Sequence, residues 1–134
     1  MSEAVEFRIN TSRKIERHDI TEHVAKAAAK LGSESGALLI SLPHTTAAVA
    51  VGENWDKDVT ADLERALAAW VPGVRFDHAE GNSPAHFLSE AIGVACLVPL
   101  QKGKPHLGRW QGIFVIELDG PRERTVRVQA LTSG

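Results

Sequence analysis

One cysteine, one methionine, no tyrosine and an aromatic share of 5% mark a 134-residue chain poor in redox-active and ring-bearing side chains. Cys96, being alone, cannot close an intramolecular disulfide, and no stretch approaches the ~20 consecutive apolar residues that a membrane span needs. No charge of either sign dominates: 15 Lys plus Arg face 17 Asp plus Glu, a formal charge of -2. Without a basic block or an acidic tail the chain offers no electrostatic footprint for nucleic acid or anionic lipid. Walker and dinucleotide glycine patterns are absent as well. Met1 to Asn10 alternates charge with hydrophobe and lacks the apolar centre of a secretory signal, so a reducing cytoplasm is the expected location. What remains, 43% hydrophobic and 24% charged residues, is the composition of a soluble globular protein.

No linker, repeat or low-complexity tract interrupts residues 1–134, which read as one domain folded from about Ala4 to Leu131. Val5, Phe7 and Ile9 alternate with Glu6, Arg8 and Asn10, the period of a half-buried strand. A second short strand is expected over Lys14 to Arg17. Asp19 or Thr21 then caps a helix with Val24, Ala27, Ala28 and Leu31 on one face and Gly32 as its left-handed stop. Gly36 to Leu42 and Ala47 to Val51 read as one buried strand interrupted after Pro43. Asp56 or Asp58 opens a second helix carrying Val59, Leu63, Ala66, Leu67 and Trp70 at helical spacing, ended by Pro72-Gly73. A polar loop, Asp77 to Ser83, leads into a third helix, Pro84 to Ala91, with Gly93 after it. Strands follow at Val94 to Leu100, Gln111 to Leu118 and Thr125 to Leu131, the last two joined by a turn-rich segment of hairpin length. Strands with irregularly inserted helices predict an α+β fold: about three helices on one large mixed, mainly antiparallel sheet.

Six histidines are many for this length. Three sit in polar, irregular places between apolar elements: His44 at the strand interruption, His78 in the loop and His86 in the first turn of the third helix. His78 and His86, eight apart, do not share a helix face, but a loop turning at Gly81 and Pro84 can bring them to one ion. His44 would then complete three protein ligands with a fourth position open to water or substrate. Against this stands the ordinary role of neutral histidines as hydrogen-bonded structural groups, since H-x7-H has no fixed mechanical meaning. His18, His23 and His106 read as surface or capping groups.

Glu80 and Glu53 are the nearest carboxylates for a general base or an orienting partner, although acids before a helix also cap it. Asn54 and Asn82 offer donor and acceptor together. Leu107-Gly108-Arg109-Trp110-Gln111-Gly112 combines close backbone approach, a cation, an aromatic plane and an amide, a set suited to a flat anionic ligand. Arg122 and Arg124 can grip phosphate, but solvated arginines in an exposed turn are the commoner case. Cys96, within an apolar run, reads as a buried inert thiol.

Three blocks in this order resemble the YjbQ family, the group labelled secondary thiamine-phosphate synthase. They are His44-Thr45-Thr46-Ala47-Ala48 with Glu53-Asn54 and Asp56-x-Asp58-Val59; His78-x-Glu80-Gly81-Asn82 with Pro84-Ala85-His86; and Leu107-Gly108-x-Trp110-Gln111 through Glu117-x-Asp119-Gly120-Pro121-Arg122. The resemblance implies a compact α+β fold, a homotrimer, and a pocket where His44, His78 and His86 hold a divalent metal, zinc foremost. It further implies a small phosphorylated substrate, with Thr45, Thr46, Asn54, Asn82, Gly108, Arg109, Trp110, Gln111 and Arg122 in the substrate-binding set. Gly52, where the family tends to carry Asn, and Arg109, where a small hydroxyl residue is common, depart from the pattern. The expected reaction is the coupling of a pyrimidine diphosphate with a thiazole phosphate. Metal-assisted hydrolysis on the same residues and a non-catalytic, metabolite- or metal-binding trimer are the alternatives.

Overall fold

The computed structural model describes residues 4–70 and 73–132. Eleven elements follow one another along the chain: β1 (Val5–Asn10), β2 (Glu16–Asp19), α1 (Thr21–Leu31), β3 (Ser35–Ser41), β4 (Ala47–Glu53), α2 (Lys57–Ala69), α3 (Ser83–Ile92), β5 (Ala95–Gln101), β6 (Lys104–Pro105), β7 (Gln111–Glu117) and β8 (Glu123–Leu131). The α+β class, the three helices and the mainly antiparallel character are as expected. The strands, however, divide into two hydrogen-bonded sheets, β1-β8-β3-β5-β6 and β2-β7-β4, and each described pairing is antiparallel.

The division corrects two expectations. β3 and β4 are not one interrupted strand, because the turn from Leu42 to Thr46 carries the chain from the larger sheet to the smaller. Residues 119–124 do not close a hairpin either: β7 and β8 lie in different sheets, and the connection passes between them. The reason is burial. β7 is buried on both faces from Gly112 to Glu117, so it must be a middle layer rather than one arm of a half-exposed ribbon. Its Ile113 and Val115 enter the main core with Leu38, Ile40, Val98, Val126 and Val128 of the larger sheet and Val24, Ala27 and Ala28 of α1. Phe114, Ile116 and Leu118 meet Ala85 and Leu88 of α3 in a second core, where Leu67 of α2 packs at the edge.

Helix ends follow local chemistry. Gly32 takes the left-handed conformation after α1, and the Asp56 side chain accepts the Asp58 N–H at the start of α2. Pro72, expected to stop α2, lies outside the described residues; the helix ends at Ala69. Although α2 has an apolar stripe, none of its residues is fully buried. It is tethered by polar contacts instead: Glu64 accepts two bonds from Arg13 at 2.8 and 3.0 Å and one from the Arg17 backbone at 2.7 Å. None of the helices among the described residues is long and apolar enough to cross a membrane.

Gly36 opens β3 at φ +116°, and a Cβ there would strike the Leu131 carbonyl on β8. Both the conformation and the close approach require glycine. Gly36→Ala is therefore expected to cost about 2–3 kcal/mol in a urea unfolding titration.

Candidate functional site

The turn after β3 and the third helix build one wall each of an open cavity of about 550 Å³, lined by His44, Thr45, His86, Ser89, Glu90 and the backbone at Gly93 and Val94. Pro84, in the first turn of α3, fixes the helix start, and His86 and Ser89 follow three apart on the same side. Ser89 is spent on structure: its hydroxyl donates to the Ala47 carbonyl at 2.7 Å, fastening α3 to β4. Neither Ser89 nor Glu90 stood out in the sequence, where both read as ordinary helix residues.

His44 is held from behind. The Thr125 backbone N–H donates to its Nε2 at 2.9 Å, so the ring is neutral, with its proton on Nδ1. Burial, followed by the nearby Arg124 charge, holds its pKa below the usual 6.5, and Glu117 pulls upward only in part. In this arrangement His44 has no free lone pair for a metal and serves as a hydrogen-bond donor. Protonation would place N–H against N–H. Because the folded-state pKa is depressed, stability is full above about 6.5 and falls as pH drops from there toward the folded value. His44→Gln is expected to remove that component, read as a smaller loss of urea midpoint than wild type between pH 7.5 and 5.5.

Behind His44 lies a buried network that sequence reasoning missed. Arg124 Nε donates to Glu117 Oε1 at 2.9 Å, and its Nη2 donates to the Thr46 carbonyl and hydroxyl, each at 2.9 Å, and to Glu117 Oε2. Thr11 donates to Glu117 Oε1 at 2.7 Å, while the backbone N–H groups of Leu118 and Asp119 donate to Oε2 at 3.0 Å. Arg124 is 2% exposed and Glu117 fully buried. Arg124 is thus not a solvated turn residue, and Thr46 belongs to this scaffold rather than to a substrate. The signal was strand parity: Arg124 shares its face with Val126, Val128 and Ala130, and Glu117 with Ile113 and Val115.

His78 and His86 come together, their ring centroids 6.0 Å apart and edge-to-face, with Glu80 Oε2 at 3.7 Å from His78 Nε2. Two imidazoles sharing one tetrahedral zinc, each nitrogen at about 2.0–2.1 Å, would hold their centroids roughly 5 Å apart, so the pair stands somewhat wider than a shared ion would hold it. Among the described residues no three His, Cys, Asp or Glu side chains group closely enough to hold an ion. His44 reaches the cavity beside His86 without converging on the pair.

The remaining candidates scatter. Glu53 pairs with Gln111 at one end of the β4–β7 ladder and Ala47 with Glu117 at the other, six residues or about 20 Å away. Glu53, Asn54, Gly108, Arg109, Trp110 and Gln111 therefore do not share a pocket with His44 in one chain. Glu53 accepts the Asp56 N–H at 3.1 Å, a capping role. Gln111 closes the turn by accepting the Gly108 N–H at 2.7 Å. Trp110 packs edge-on against Trp55 at 4.7 Å beneath the Arg109 guanidinium, with Asn54 packed against Gly112. Gly52 leaves room for Arg17, whose Nη2 lies 2.9 Å from where a Cβ would stand. Arg122 is tied to Asp119 by bonds of 2.9 and 3.0 Å, and Asn82 donates to the same carboxylate at 3.0 Å. Cys96 is partly buried, and burial pushes its thiol up, away from nucleophilic chemistry.

This fold recurs in known proteins. The model for UPF0047 protein YjbQ-like matches residues 5–133. A UPF0047 protein of Methanocaldococcus jannaschii is 38% identical, covering 93% of this chain and 91% of its own length. YugU of Bacillus subtilis is 40% identical over 93% of this chain and 96% of its own. Among solved structures, a YjbQ/UPF0047 family protein from Clostridium acetobutylicum superposes with TM-score 0.89 at 39% identity, covering 95% of this chain and 99% of that one. A protein from Sulfolobus solfataricus reaches TM-score 0.91 at 30% identity, covering 99% of each chain. The chain belongs to the YjbQ/UPF0047 family.

Proposed function

We infer that the cavity between His44 and His86 is the active site of an enzyme acting on a small phosphorylated metabolite, with a divalent metal, zinc foremost, held by His78 and His86. The observation that carries this reading is the division of labour among the imidazoles. His44, neutral and fixed by the Thr125 N–H, presents a donor, while His78 and His86 stand with ring centroids 6.0 Å apart, near enough for a small closure to bring both onto one ion. Thr45 adds a hydroxyl beside His44, and Glu90 a carboxylate across the cavity. A phosphate oxygen suits His44 Nδ1–H and Thr45; Glu90 suits a donor on the organic part of the substrate. A bound metal would supply Lewis-acid stabilisation of negative charge.

The reaction in view is the thiamine-phosphate synthase type, in which the carbon–oxygen bond to diphosphate breaks as the bond to the thiazole partner forms. His44 and Thr45 are placed to bind the departing anion, a task that needs no nucleophile from the protein. Metal-loaded protein is expected to release diphosphate from the pyrimidine diphosphate and thiazole phosphate pair above the rate of His86→Ala. Absence of release would contradict this chemistry, and turnover of simple phosphate esters instead would move the site to a hydrolase.

A homotrimer goes with this reading, supported by the outward face of the larger sheet. Leu39 stands opposite Leu97 and Ala37 opposite Pro99 and Leu131, with Leu97 60% exposed. A paired apolar face of this kind fits a subunit contact. Light scattering is expected to give three times the chain mass, and Leu97→Lys to lower it toward the monomer. A monomeric mass for the unaltered protein would refute the assembly. Cytoplasmic residence completes the proposal.

A further inference from the structure

The histidine cavity is open and short of a cation. Among the described residues its lining holds one carboxylate, Glu90, and neither lysine nor arginine. A phosphorylated substrate calls for a cationic partner. One stands elsewhere on the same chain: Arg109 is exposed, makes no ion pair among the described residues, and holds its guanidinium 4.6 Å over the Trp110 ring. Trp110 in turn meets Trp55, and the two side chains belong to residues 44% and 72% exposed. The platform is braced, because the Asn54 N–H donates to the Trp110 carbonyl at 2.8 Å. The nearby acids Glu53 and Asp56 are spent on capping α2. Exposed tryptophans beside an unpaired arginine are the residue types that centre protein contacts.

The platform cannot reach its own cavity, since it lies beyond the far end of the β4–β7 ladder, about 20 Å from Ala47. A second copy can bring the two together. In a closed three-fold ring each interface joins two different patches of the chain, and this chain carries a complementary pair: an aromatic knob topped by Arg109 and a hollow holding Glu90. The hollow also adjoins the subunit contact proposed above. Val94 lines its wall, and the strand that follows turns Ala95, Leu97 and Pro99 outward. A copy seated on that apolar face comes against the cavity mouth.

We propose that the Trp55–Trp110 platform of one copy closes the histidine cavity of the next, with Arg109 facing Glu90 and supplying the cation for the substrate's phosphate. Five N–H donors let one guanidinium meet a carboxylate and a phosphate oxygen together. This deepens the catalytic reading and rests on the trimer that goes with it, so the test separates the two. Carbodiimide joins an amine to a carboxylate it touches. Arg109→Lys treated with carbodiimide is expected to give covalent dimers and trimers on a denaturing gel, the new amine linked to Glu90 of the partner subunit, and adding Glu90→Gln should remove that link. Arg109→Glu should weaken the trimer about ten-fold across a dilution series in light scattering, and Arg109→Glu with Glu90→Arg should restore it. With inorganic diphosphate as the probe, Arg109→Gln should lower the affinity of the zinc-loaded trimer at least ten-fold at unchanged mass. A trimer in which positions 90 and 109 never link, or a diphosphate affinity untouched by Arg109→Gln, would overturn the proposal and leave the assembly standing. A monomeric mass would overturn both; a link formed without turnover would uphold the shared site and refute only the reaction.

Discussion

Arg124→Ala is expected to destabilise the protein by about 3–5 kcal/mol, the cost of leaving Glu117 charged, buried and without its partner. The expectation rests on burial and bond count: the guanidinium reaches both Glu117 oxygens as well as the Thr46 carbonyl and hydroxyl. Replacing both partners, Glu117→Leu with Arg124→Met, should recover most of the loss, because no unpaired charge then remains in the core. The pair also sets an acid limit. Burial pushes the Glu117 carboxyl upward, but bonds from Arg124, the Asp119 N–H and Thr11 together outweigh it and hold its pKa below 4.5. With the folded value depressed, this stabilisation is present above about 4.5 and is lost as pH falls through the folded value. Urea titrations at pH 7 and pH 3.5 should show a steeper acid loss for wild type than for the double variant; parallel losses would contradict the linkage. Arg124→Ala should also disturb His44, since Thr46 and the Thr125 N–H flank that arginine.

How much of this was legible depended on whether neighbours in sequence decide the matter. Alternation in Val5, Phe7 and Ile9, the Asp56 cap and the Gly32 stop are local, and the corresponding elements formed as expected. The separation into two sheets was not local: it follows from β7 being buried on both faces, which only tertiary packing reveals. The same limit applies to the site. Histidines 44, 78 and 86 were visible as chemistry-bearing residues in polar breaks, and the fold gathers them around α3. The Gly108 to Gln111 block looked equally rich, yet a seven-residue strand pairing places it at the far end of the β4–β7 ladder. The Thr125 N–H that reserves His44 Nε2 lies 81 positions away, beyond any spacing argument. Arg124 was the avoidable miss, because its parity on β8 already directed it inward.

His86→Ala is expected to lower turnover of the phosphorylated substrate at least about 100-fold while leaving the unfolding midpoint within about 0.5 kcal/mol of wild type. His86 is only partly buried and stands at the junction of both parts of the proposed site, lining the cavity with His44 and pairing with His78. His78→Ala should weaken zinc binding by a comparable factor without changing the cavity walls. An activity loss matched by unfolding would mean that His86 supports the helix rather than the reaction.

The most direct test of the proposed metal site is anomalous diffraction at the zinc edge from crystals grown with the ion. The predicted result is a single strong peak about 2.0–2.1 Å from one nitrogen of His78 and one of His86, with His44 Nε2 still bonded to the Thr125 N–H. Zinc bound elsewhere, with the His78 and His86 rings free, would contradict the account.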